Sequence, residues 1–232
     1  MKILYTLVML SLSSIVLAQE TTKTIDNYTT LIVSRGVDVR LIKSPSNEVK
    51  ITTKGIKPNE VVIENHGDEL IIKVSTKSLW LEMQDNYWWA RIELPYQTID
   101  NIEVSTGAKI TSLDLFKGDL LDLEVSMGGE LELEVDLNEL ILDSNMGSVA
   151  EIVGRAEIVE LSASMGAEID LRDLQAEIVT AKSSMGAEVR VHANKEFSGR
   201  ANMGGSIRVT GNPEKFYEST SMGGDIYASE HQ

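Results

Sequence analysis

The chain has 232 residues, 36 acidic against 21 basic, a formal net charge of −15 and no cysteine. That excess of acid argues against nucleic acid and against anionic lipid headgroups as partners, because both demand a basic face. The lack of cysteine removes disulfides, thiolate metal sites and cysteine nucleophiles together, leaving stability to core burial and strand stacking.

Residues 1–18 read as a secretory signal peptide. Lys2 supplies the positive charge, Ile3 to Leu10 the apolar core, and Val16 and Ala18 the small or apolar residues before a cut after Ala18. The stretch is short and interrupted by Ser11, Ser13 and Ser14, whereas a membrane anchor needs about 20 apolar residues. Nothing after residue 18 has the length of a membrane span, so the mature chain is expected outside the cytoplasm, in the periplasm or at the cell surface.

Residues 19–100 form an irregular β region. Short alternating segments are separated by turn signals at Ser44-Pro45-Ser46-Asn47, Lys57-Pro58-Asn59 and His66-Gly67-Asp68. All three tryptophans fall between residues 80 and 89. The pattern predicts a hairpin turning at Asp85-Asn86, with Ala90 and Trp88 facing inward alongside Ile92 and Leu94. Trp80, Tyr87 and Trp89 then face outward, offering flat rings to a sugar or protein. The alternative is an aromatic cluster that closes one end of the fold.

From residue 101 to 232 one unit recurs. Ser105-Thr106-Gly107-Ala108 is followed by Ser126-Met127-Gly128-Gly129 and by equivalents centred on Gly147, Gly166, Gly186, Gly204 and Gly223, spaced 21, 19, 19, 20, 18 and 19 residues apart. Three residues after each glycine stand Ile110, Leu131, Ala150, Ile169, Val189, Ile207 and Ile226. The intervening and following outward positions hold residues such as Glu132, Glu151 and Asp170. This period of two is a strand with one buried face. A lone strand pair cannot bury that face, but identical units stacked ~4.8 Å apart can. The expected fold is all-β: a single-stranded parallel β-helix, or β-solenoid, with coils of about 19 residues and an N-terminal β cap. Ser34-Arg35-Gly36-Val37 echoes the repeated turn, so the first region is expected to begin the same coil.

The methionines before the turn glycines (Met127, Met146, Met165, Met185, Met203 and Met222) share the sequence phase of the apolar positions. They are therefore expected to form an internal ladder filling the corner, with the preceding Ser/Asn column facing outward. A methionine-rich metal site, or an exposed stripe, is the competing reading.

No catalytic constellation is legible. His66, His192 and His231 are far apart in sequence and outside any metal-ligand spacing. Glu168 and Glu188 are expected to stack on neighbouring coils with Asp170 beside them. That would give a carboxylate pair or weak calcium site, or else a solvated acidic ladder. No cofactor is expected.

The repeated turn and its flanks resemble the head GIN domain family of autotransporter-adhesin head proteins, found largely as exported proteins of Bacteroidetes-type bacteria. The resemblance rests on the Ser-Met-Gly-Gly-type turns, on Ile92-Glu93-Leu94-Pro95, on Val209-Thr210-Gly211-Asn212-Pro213 and on the closing Ser221-Met222-Gly223-Gly224-Asp225. Methionine stands here where the family pattern has its first turn glycine. The resemblance implies adhesion and carries no catalytic residues. The expected role is thus an exported, non-enzymatic module that binds an extracellular glycan or protein. The alternatives are an envelope protein assembling through its solenoid ends, or a polysaccharide-active enzyme.

Overall fold

The computed structural model describes residues 18–75 and 88–228. Its repeating half is a parallel stack. β8 (Asn101–Ser105) and β10 (Phe116–Val125) lie side by side, as do β9 (Lys109–Ser112) and the start of β11 (Glu130–Ser144). β12 (Val149–Ala163), β13 (Glu168–Ser183) and β14 (Glu188–Asn202) follow, each parallel to the last. The far end is made by β15 (Ser206–Thr210), β16 (Lys215–Ser221) and β17 (Asp225–Ala228), the first two on β14 and the last on β15. The fold is the expected β-solenoid.

The register is the one the repeat demands. Ile110, Leu131, Ala150, Ile169, Val189, Ile207 and Ile226 are consecutive partners along the stack. All but Ile226 are buried. Each coil places several aliphatic side chains in one continuous core, and full burial of each contributes roughly 1.5–3 kcal/mol before entropy. Ring contacts add to this where Tyr96 stacks on Phe116 at 5.2 Å and Phe197 meets Phe216, tilted by 34°, at 5.0 Å between centroids.

The N-terminal part joins the same stack out of chain order. β2 (Thr30–Ser34) and β3 (Val37–Lys43) flank the Arg35-Gly36 turn and pair in parallel with β8 and β9. On their other side lie β6 (Glu69–Val74) and β7 (Trp89–Tyr96), also parallel. Residues 30–43 are therefore sandwiched between a later segment and the start of the repeat. Antiparallel strands cover the outer edge: β5 (Val61–His66) on β6, β4 (Glu48–Lys54) on β7, and β1 (Gln19–Thr24) on β4. Reversed strands break the stacking repeat and blunt an edge that would otherwise template further pairing.

The turn corners overturn the expected methionine ladder. Met127, Met146, Met165, Met185, Met203 and Met222 have φ between 47 and 53°, and their glycines between 69 and 76°. Two successive left-handed residues, closed by bonds such as Gly129 N–H to Ser126 O at 2.9 Å, make a type I′ turn. A residue in that conformation no longer follows the strand's alternation, so the methionine side chain swings out to solvent, 46–80% exposed. The preceding column moves the other way. Ser105 and Ser126 are buried, Asn145, Ser164, Ser184 and Asn202 half-buried and Ser221 exposed, because the alternation breaks at the residue that lends its carbonyl to the turn.

Candidate functional site

Each strand turns every second residue outward, and stacking lines these residues into columns. Two columns follow the methionine corner. The first runs Lys109, Glu130, Val149, Glu168, Glu188 and Ser206, and the second Thr111, Glu132, Glu151, Asp170, Arg190 and Arg208. Glu168 and Glu188 are direct partners on neighbouring coils, as expected, with Asp170 opposite Arg190. The arginine decides what the group can do. Its Nη1 lies 2.7 Å from Glu168 Oε1 and 3.5 Å from Asp170 Oδ2, and its Nη2 lies 2.7 Å from Glu188 Oε1.

Arg172 adds a second guanidinium, 2.6 Å from Asp170 Oδ2. Partial burial pushes the Asp170 carboxyl up, but the Arg172 hydrogen bonds and the Arg190 charge outweigh it and hold the group below the ordinary aspartate value. The hydrogen bond that Arg190 donates to Glu168 raises the guanidinium against its own burial. Here a guanidinium sits where a calcium ion would have to go, and the three carboxylates form an ion-paired lattice. Among the described residues no group of three or more histidines, aspartates and glutamates is arranged to hold a metal ion.

The column before the corner runs Glu103, Glu124, Asp143, Ser162, Lys182, Arg200 and Ser219. It changes from acidic to basic along the axis. Burial, followed by the Glu124 and Glu69 charges, raises the Glu103 carboxyl above the ordinary glutamate value.

Of the three aromatic residues expected to form a binding face, Trp80 and Tyr87 lie outside the described residues, as does the hairpin turn at Asp85-Asn86. Trp89 opens β7 opposite Lys54 and is half-buried. The Arg91 guanidinium stands 5.5 Å from its ring centroid, while Arg91 Nε donates to Asp38 Oδ2 at 2.8 Å. This is a cation–π contact fixed by an ion pair. Trp88 packs against the core beside Gly36, where an added Cβ would lie 2.9 Å from the indole Cη2. The inward phase of Trp88, Ala90, Ile92 and Leu94 is as the alternation predicts.

The sequence reading missed a pocket of about 210 Å³ lined by Tyr28, Asn47, Asp68, Pro95 and Tyr96 among others. Tyr28 Oη donates to Pro95 O at 3.0 Å, and burial drives its phenol well above the usual range. These groups come from separate N-terminal segments that no local spacing relates. Among the described residues no helix is long and apolar enough to cross a membrane.

Residues 27–213 match the family described as "Putative auto-transporter adhesin, head GIN domain". The chain belongs to this family. Its head GIN fold is similar to that of several solved structures. A putative adhesin from Bacteroides fragilis shares 14% identity over 91% of this chain and 97% of its own, with a TM-score of 0.77. A putative adhesin from Parabacteroides merdae shares 15% over 93% and 96%, at 0.69. A protein of Parabacteroides distasonis described as a putative lipid binding protein shares 16% over 91% and 96%, at 0.72. At such identities the likeness concerns the head GIN fold alone. No curated protein matches the sequence.

Proposed function

We propose that this head GIN protein is an exported, non-enzymatic adhesin-like module. It displays its outward columns, with Trp89 and its neighbours at one end, to a surface glycan or an envelope protein. Family membership and the leader-like residues 1–18 support the extracytoplasmic setting. The observation that carries a binding rather than a cleaving role is the state of the acidic ladder. Glu168 and Glu188, the carboxylates that could have served glycoside cleavage, are both bonded to Arg190. A catalytic carboxylate has to meet the glycosidic oxygen or the anomeric carbon, whereas these two are engaged by a guanidinium of their own surface.

Arrays of surface glycans and envelope proteins, probed with wild type and with Trp80→Ala and Trp89→Ala, test the proposal. Binding in wild type that falls in either variant supports an aromatic contact. No binding to any array sinks the adhesin reading, and binding unchanged in both variants removes the aromatic site from it.

A second reading, assembly through the solenoid ends, draws on the last coil. β16 and β17 each have a parallel partner on one side only among the described residues, and Tyr217 and Tyr227 there are 56% and 53% exposed. Such an edge can template a further strand. A monomer whose sedimentation coefficient does not change with concentration eliminates this reading.

A further inference from the structure

The geometry points to the methionine ridge as a binding site for a soft monovalent cation of the copper(I) or silver(I) class, held between thioethers of successive coils. This inference does not rest on the adhesin reading.

Methionine has no structural reason to be at these corners. A type I′ turn favours Asn, Asp or Gly at its first central position, and a left-handed backbone costs other residues roughly 1–2 kcal/mol. Turns at six successive corners accept that cost for the same residue. Burial offsets only part of it, since each side chain is about half exposed or more. Every methionine among the described residues stands on the ridge, and none is in the core, where its flexible side chain usually fills gaps. Local rules broken repeatedly without a gain in the core mark a side chain kept for what it presents.

What it presents is a thioether on a backbone of fixed repeat. The corners are tied along the axis by hydrogen bonds. Gly107 N–H donates to Met127 O, Gly128 N–H to Met146 O, Gly147 N–H to Met165 O and Gly166 N–H to Met185 O, all at 3.1 Å. Neighbouring methionines are therefore one strand spacing apart, ~4.8 Å. Metal–sulfur bonds to a d¹⁰ ion are about 2.3 Å, so one ion fits between two such thioethers with little side-chain adjustment. Thioethers select soft ions over calcium, magnesium or zinc.

The flanking charge picks out one stretch. Glu124 and Asp143 run along one side of Met127 and Met146, with Ser162 next in line at Met165, while on the other side Glu130 and Glu168 are already paired with Lys109 and Arg190. Beside Met185 and Met203 the first column has turned basic with Lys182 and Arg200. A cation is drawn to the acidic stretch.

The test uses the full chain in chloride-free buffer, with methionine methyl groups carbon-13 labelled and silver nitrate added up to equimolar. The Met127, Met146 and Met165 methyl resonances shift first, and Met203 least. In parallel, under anaerobic conditions, wild type withdraws copper(I) from its coloured bicinchoninate complex, whereas the variant Met127→Leu/Met146→Leu/Met165→Leu does not. Leucine keeps the apolar bulk, so this variant separates sulfur from hydrophobicity, and circular dichroism checks that it folds. Where it does not fold, the wild-type resonances decide alone. Unmoved resonances, or metal uptake retained by the leucine variant, overturn the proposal. An apolar fluorescent probe that binds both forms alike while neither takes silver also overturns it, and would assign the ridge to an apolar partner.

Discussion

At Met165 the backbone φ of 52° sets side-chain identity against turn preference. Met165→Asn is expected to raise stability by about 1 kcal/mol, read as a higher melting midpoint. A fall would show that contacts along the ridge outweigh the backbone cost. Gly154 is the opposite case. Its φ is 112°, and an added Cβ would lie 2.1 Å from Val135 O, at the register shift between β12 and β13. Gly154→Ala should therefore lose about 2–4 kcal/mol in denaturant titration. Charge acts with two signs. Asp170 is held below its ordinary value, so it stabilises the fold above the unfolded aspartate pKa, and that contribution is lost as pH falls through the lower folded value. Glu103 is raised, so its ionised form weakens the fold at neutral pH. Glu103→Gln is expected to raise the melting temperature at pH 7, with the gain vanishing once acid protonates Glu103 in both states. A gain that persists at low pH would locate the effect in packing instead.

Along the strands, the sequence and structure agree wherever the backbone stays extended. The alternation in β11 to β14 was legible because a period of two depends only on strand geometry. The nineteen-residue repeat then dictated which residues stack. Ile169 lies between Ala150 and Val189 and is fully buried. Truncating Ile169 to Ala should cost about 2–5 kcal/mol, and the loss should appear as faster amide exchange in β12 and β14 as well as β13. Protection lost in β13 alone would mean that the coils do not share one core. The agreement ends at the corners. Carrying the strand phase through two left-handed residues places the methionines inside, whereas the turn rotates them out. The Arg190 lattice was half legible. The stacking of Glu168 on Glu188 follows from the repeat, but which long side chain bends to reach them depends on geometry that spacing does not encode.

A stacked coil contacts only its neighbours, so the molecule is close to one-dimensional. Deleting residues 213–232 removes β16 and β17 and should leave the remaining coils folded, with the strand signal kept and a single melting transition at lower temperature. Complete unfolding would instead make the last coil essential to the whole stack. Read alone, the sequence determined the fold class, the coil length, the core columns and the family. The first three follow from local periodicity repeated many times, which leaves little freedom once strands stack at a fixed distance, while the family is carried by particular motifs such as Val209-Thr210-Gly211-Asn212-Pro213. Only the tertiary structure decided the rest. It threads residues 30–43 between a later strand pair and the repeat, closes the edge with reversed strands, assembles the Tyr28 pocket and turns the methionines outward. Those outcomes rest on pairings between distant segments and on two dihedral angles at each corner, and neither leaves a period in the chain.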